Sequence, residues 1–183
     1  RETERLNRLV TNFLHYARPG GARHDDFDLR TLVEETGFFF QQGEGRQGFR
    51  LACRIPERIT LRGDRDQWEQ LFLNLFRNSR EASPERTAVE VEATPEDGGV
   101  VVTVRDAGPG MAPEVAARAF EPFFSSREGG TGLGLATVHR IVENHGGTVA
   151  LDTAPGRGTT LRLRLPTEGQ SAVGGRPEET SEI

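Results

Sequence analysis

The sequence predicts an α+β fold of two layers, mostly antiparallel strands with helices on one face. Two observations carry that prediction. Two pairs of alternating segments, Ala88–Ala93 with Val100–Arg105 and Thr148–Thr153 with Thr159–Leu165, are each joined by a glycine-bearing turn, the pattern of β-hairpins. Stretches before and between them repeat apolar residues at three- and four-residue spacing, the period of amphipathic helices. The chain shows no internal repeat, and its 183 residues suffice for one domain with short appendages.

Taken in order, residues 1–19 place Leu6, Leu9, Val10, Phe13, Leu14 and Ala17 on one stripe of a helix that Pro19-Gly20-Gly21 ends. A lone helix of that length is marginal in water, so a partner helix is expected. A polar linker, residues 20–27, leads to a body over residues 28–166. There Leu29, Leu32, Val33, Thr36 and Phe40 mark a helix that Asp28 suits as N-cap. Phe49, Leu51, Cys53 and Ile55 alternate as a strand, and Ile59–Leu61 reads as a short one. Asp64 or Asp66 opens a helix running to about Ala82, with Trp68, Leu71, Phe72, Leu75, Ser79 and Ala82 as its inner line. Pro113 fits the first turn of a short helix through Phe120. A helix follows the glycine-rich stretch Gly129–Gly134 and ends at Gly146-Gly147. Residues 167–183, rich in Gly, Ser, Pro and Glu, read as a disordered tail.

Composition excludes several functions. The net charge is −5, against a dedicated nucleic-acid binder. All 23 cations are arginine, so any grip on phosphate falls to guanidinium groups or backbone amides. Cys53 stands alone, and no Cys/His spacing suggests zinc. No apolar run nears the roughly 20 residues of a membrane span. The opening at Arg1 carries no signal-peptide pattern, from which we expect a cytoplasmic piece of a longer protein, whose own membrane anchoring stays open.

Four clusters carry chemistry. Asn74 and Asn78, four apart, share a helix face, and an amide oxygen is a hard ligand suited to Mg²⁺; the pair also fits amides that merely solvate a helix edge. Asp106-Ala107-Gly108-Pro109-Gly110 follows a strand; its carboxylate suits an exocyclic amine, although taken alone the cluster fits a plain turn better. Gly129-Gly130-Thr131-Gly132-Leu133-Gly134 opens a helix, and successive backbone N–H groups backed by the helix dipole make an anion cradle. It is neither a dinucleotide fingerprint nor a Walker loop. Gly156-Arg157-Gly158-Thr159-Thr160 closes the series, with either turn chemistry or a base-contacting hydroxyl as its reason.

In this order, with Phe120-Glu121-Pro122-Phe123-Phe124 between the second and third, the clusters resemble the ATP-binding catalytic domain of sensor histidine kinases. That domain belongs to the wider family of gyrase, Hsp90 and the mismatch-repair ATPases, with a Bergerat-type sandwich. The opening helix, Arg5 to Pro19, is similar to the end of the dimerisation domain in nitrogen-regulator-like kinases. The resemblance implies ATP and Mg²⁺ as cofactors, with Asn78 the metal ligand and Asn74 the polar position one turn earlier. It implies Asp106 on adenine with Thr159 assisting, Gly108 and Gly110 beside the ring, and Gly130, Thr131, Gly132, Leu133 and Gly134 as the phosphate loop. Phe120, Phe123 and Phe124 become the aromatic box of a nucleotide lid. Arg127 stands where relatives have a lid lysine, either paired with the γ-phosphate or solvated.

In the Hsp90 and gyrase branches a glutamate holds the position of Asn74 and serves as base for water. Asn74 cannot take a proton, which favours transfer to an external nucleophile over hydrolysis. The implied nucleophile is a histidine of the dimerisation helices, for relay to a response regulator, in a homodimer. None of His15, His24, His139 and His145 sits in the family's His-Glu motif, so this chain is not expected to phosphorylate itself. A nucleotide-binding interaction module and an anti-sigma-type serine kinase are the alternatives.

Overall fold

The computed structural model describes residues 25–45, 48–56, 58–83, 87–127 and 129–166. The expected opening helix, most of the linker and the tail lie outside the described residues. Seven strands and four helices follow in order: β1 (Asp25–Asp28), α1 (Leu29–Gln42), β2 (Phe49–Arg54), β3 (Thr60–Gly63), α2 (Arg65–Ala82), β4 (Thr87–Glu96), β5 (Gly99–Asp106), α3 (Pro113–Ala116), α4 (Gly134–Asn144), β6 (Thr148–Thr153) and β7 (Thr159–Pro166).

The main sheet has the order β2-β4-β5-β7-β6. Its β2–β4 pair is parallel and the other pairs are antiparallel, so the α+β class stands with a mixed sheet. The β4–β5 hairpin closes on Asp97-Gly98, where Gly98 takes a positive φ suited to a tight two-residue turn. Alternation decides which face meets the helices. Val89 and Val91, Val100, Val102 and Val104, and Leu161, Leu163 and Leu165 are buried, while Arg54, Arg162 and Arg164 pair with glutamates or aspartate on the outer face.

Helix α1 starts where Asp28 accepts the Thr31 backbone N–H at 2.8 Å, and α2 where Asp64 accepts those of Asp66 and Gln67. The choice the sequence left between Asp64 and Asp66 falls to Asp64. Central in the helical layer, α2 packs against both α1 and α4. It buries Trp68, Leu71, Phe72, Leu75 and Phe76, and at about 25 cal/mol per Å² these large side chains make it the principal staple of the core. Helices α2 and α4 are antiparallel: Gly134 lies beside Asn78, and at the opposite end His145 Nε2 accepts the Asp64 N–H at 3.2 Å.

Two expectations need correction. Asp25–Phe27, placed in the linker, form strand β1 with Asp28, because they pair in register with β3 and Phe27 reaches the core. The helix expected from Pro113 to Phe120 ends at Ala116, where the chain tightens into turns closed by bonds three residues back. Pro122 lies just ahead and disfavours helical backbone at Glu121.

Candidate nucleotide-binding site

A cavity of about 370 Å³ opens between α2, α3, the loop after β5 and the segment leading into α4. Helix α2 supplies Asn74, Arg77, Asn78 and Glu81, which repeat at the period of one helix face opposite the buried aromatic side. The loop after β5 adds Pro109, Gly110 and Met111, α3 adds Val115, and the segment before α4 adds Phe124, Arg127, Gly130, Thr131 and Gly132. Gly134 and Leu135 bring the first turn of α4 to the same space.

The ends of the helices differ in a telling way. Aspartates cap α1 and α2, whereas Leu133 stands at the N-cap of α4 and no side chain caps it. The first N–H groups of a helix need a partner, so the uncapped end at this cavity is where an anion gains most. Asn78 adds a second sign of a missing partner. Its Nδ2 is buried without a hydrogen bond, and a Cβ on Gly134 would come 3.0 Å from its Oδ1. Glycine thus keeps the space beside an amide that can turn either end toward a ligand.

Asp106 ends β5, the middle strand of the sheet, directly opposite Thr159 of β7. Its Oδ1 accepts the Gly108 N–H at 2.8 Å, and its Oδ2 accepts the Ser79 hydroxyl at 3.3 Å. Thr159 is buried at its side, and its hydroxyl lies 3.4 Å from that of Thr153. The structure brings Asn74, Asn78, Gly110, Phe124, Arg127, Gly130, Thr131, Gly132 and Gly134 to the cavity wall, but not Asp106, Gly108, Phe120, Leu133 or Thr159. Phe120 packs on the core, with its ring 5.3 Å from that of His139, and Leu133 is buried.

Phe123 differs from Phe120 and Phe124, which are half-buried. It is 63% exposed and holds a positive φ of 66°, a costly state for an aromatic residue. Its N–H donates to Gly132 O at 3.0 Å, and a Cβ on Gly132, itself at φ 67°, would collide with the Phe123 and Phe124 backbone. Arg118 lies 4.0 Å over the Phe124 ring. Arg127 Nη1 donates to Asn78 O at 3.2 Å and lies 3.6 Å from Glu81 Oε2. Arg77 is held by Glu44, whose hydrogen-bonded carboxylate raises its pKa above the ordinary value.

Sequence reasoning missed Arg77 and Glu81, although the i, i+3, i+4, i+7 series from Asn74 contains both. It took Ser79 as a core residue only; the bond to Asp106, 27 residues on, has no local signal.

Comparison with known proteins decides the family. The model of histidine kinase-, DNA gyrase B- and HSP90-like ATPases matches residues 63–169. The chain belongs to this family of ATPases. It is an ATP-binding catalytic domain of the sensor histidine kinase kind. Sensor histidine kinase ZraS of Klebsiella oxytoca is 36% identical over 172 residues, which cover 93% of this chain and 37% of that protein. The histidine kinase domain thus spans little more than a third of the curated relative it matches. Among solved structures, full-length ShkA in complex with AMPPNP has a TM-score of 0.77 at 31% identity, covering 91% of this chain and 37% of that one. Histidine kinase ThkA in complex with the response regulator TrrA has a TM-score of 0.72 at 25% identity, covering 90% of this chain and 48% of that one.

Proposed function

We propose that the chain binds Mg·ATP in the cavity beside α2 and delivers the γ-phosphoryl group to a histidine on the dimerisation helices of its parent, for relay to a response regulator. The observation that carries this is the conjunction at one cavity of the uncapped α4 N-terminus and the orphaned amide of Asn78. Asn78 suits Mg²⁺, and Asn74 shares its face. When bound, the ion neutralises charge that builds between the β- and γ-phosphates.

The chain's own residues do the rest. Asp106, fixed by Ser79 and Gly108 and set back from the cavity wall next to Gly110, would meet the exocyclic amine of adenine, with Gly108 and Thr159 beside it. The amides of Gly130 to Gly134 hold phosphate oxygens, and Arg127 leaves Glu81 for the γ-phosphate. Phe120 and Phe124 anchor the start of the lid. A histidine ring nitrogen forms the P–N bond as the bond from γ-phosphorus to the bridging oxygen breaks, and ADP leaves with the electron pair. Asn74 offers no base for water, which keeps hydrolysis slow.

In this reading residues 1–19 end a dimerisation helix that makes the parent a homodimer, residues 28–166 are the catalytic body, and the domain works in the cytoplasm. The relay partner is a response regulator, the class of protein that ThkA holds in its complex with TrrA. Titration calorimetry with a non-hydrolysable ATP analogue tests it: binding that requires Mg²⁺ is expected, and no binding overturns the reading. Incubation with γ-labelled ATP is expected to leave no stable phosphohistidine on this chain alone.

A further inference from the structure

We propose that Arg77 is a fixed cation for the nucleotide's phosphates and that Glu44 aims it. This rests on the nucleotide reading above. With no lysine in the chain, the cationic side chains on the described cavity wall are Arg77 and Arg127. They are held differently. Arg127 sits on the lid segment, engaged by a single carboxylate oxygen at 3.6 Å and a backbone carbonyl. Arg77 sits on α2, three residues after Asn74 and one before Asn78, so a helix anchored in the core by Trp68, Leu71, Phe72, Leu75 and Phe76 fixes its position.

The grip on Arg77 is side-on. Its Nε donates to Glu44 Oε1 and Oε2 at 3.1 and 2.8 Å, and its Nη2 to Oε1 at 2.6 Å. Among the described residues, Nη1 makes no hydrogen bond, and the side chain is 40% exposed on the cavity wall. Glu44 is itself tethered. Arg80 Nη1 donates to its backbone carbonyl at 2.5 Å, and the Gly43 and Gly45 N–H groups bond back to Phe39 and Phe40 on α1. A planar guanidinium with one edge spent on a tethered carboxylate has its remaining donors set in one direction, the geometry that suits phosphate oxygens. Glu44 acts through Arg77 and is a positioning residue.

The two roles separate by ligand. Calorimetry on the full chain with adenosine, ADP and a non-hydrolysable ATP analogue, all with Mg²⁺, should show Arg77→Gln weakening the ATP analogue by about 10- to 100-fold, ADP by less, and adenosine not at all, in keeping with a lost charge-assisted hydrogen bond. Glu44→Gln should weaken the ATP analogue by a smaller factor with adenosine unchanged. Arg77→Lys keeps the charge without the fork and should lose part of the same affinity, which serves if the glutamine variant folds poorly by thermal melt. Equal weakening of adenosine and the ATP analogue would make the pair a structural strut and overturn the proposal, as would unchanged ATP affinity in both Arg77 variants. Failure of the unaltered chain to bind any of the three ligands overturns the nucleotide reading, and this inference with it.

Discussion

The two sides of the cavity are held to different degrees. On one side α2 buries Trp68, Leu71, Phe72, Leu75 and Phe76 and turns Asn74, Arg77, Asn78 and Glu81 to the open space. On the other, residues 121–127 and 129–132 are held by a few backbone and side-chain hydrogen bonds and leave Phe123 exposed at an unfavourable φ. Segments with few buried apolar contacts open at low free-energy cost. The difference suits two tasks of the proposed site: the helix would set the positions of its polar side chains in advance, and the segment before α4 would adapt around the nucleotide.

The sharpest way to break this comparison is to remove core from the helix side. Phe72 is fully buried, and Phe72→Ala is expected to cost about 3–5 kcal/mol in chemical denaturation. Phe123→Ala, on the opposite side, should stay within about 0.5 kcal/mol. Comparable costs would mean the lid carries the fold as well. Next come the site residues. Asp106→Asn should weaken adenosine by about 10-fold or more, the scale of one hydrogen bond to a charged group, and affect inorganic triphosphate little. Asn78→Asp should instead change the Mg²⁺ dependence of ATP binding and spare adenosine. Calorimetry reads both, and identical profiles would remove the division of roles.

Gly132→Ala forces a Cβ into the Phe123–Phe124 backbone at a left-handed φ and should cost about 1–2 kcal/mol. Hydrogen exchange should rise at residues 123–132 while α2 stays protected. The smallest effect concerns Cys53. Burial, the main cause, pushes its thiol above the ordinary value of 9.0, so alkylation at pH 8 should run slower than in the unfolded chain. Because the folded pKa is the higher one, the associated stability is full below about pH 9 and fades as pH rises further.

Legibility follows the same division. The β4–β5 and β6–β7 hairpins were readable because alternation and turn chemistry are local, and so was the Asp28 cap. The β1 strand was not, since Asp-Asp-Phe-Asp has no strand composition and is held by pairing with β3, some 35 residues on in the chain. The parallel β2–β4 pairing likewise rests on residues brought together by the intervening helix. At the cavity, the order of the clusters singled out Asn78, Gly130, Gly132 and Gly134, which line it, and Asp106, which does not. Arg77 was not singled out: its meaning depends on Glu44, 33 residues earlier, and charged residues on an exposed helix face look alike in sequence.

The bond from the Asp64 N–H to His145 joins α2 and α4 at the ends remote from the cavity. From that pin to Asn78 is about 21 Å of helix, so a scissoring of about 5° there would change the gap between Asn78 and Gly134 by about 2 Å. A ring outside the pocket thus helps to hold together the two helices whose far ends carry Asn78 and Gly134.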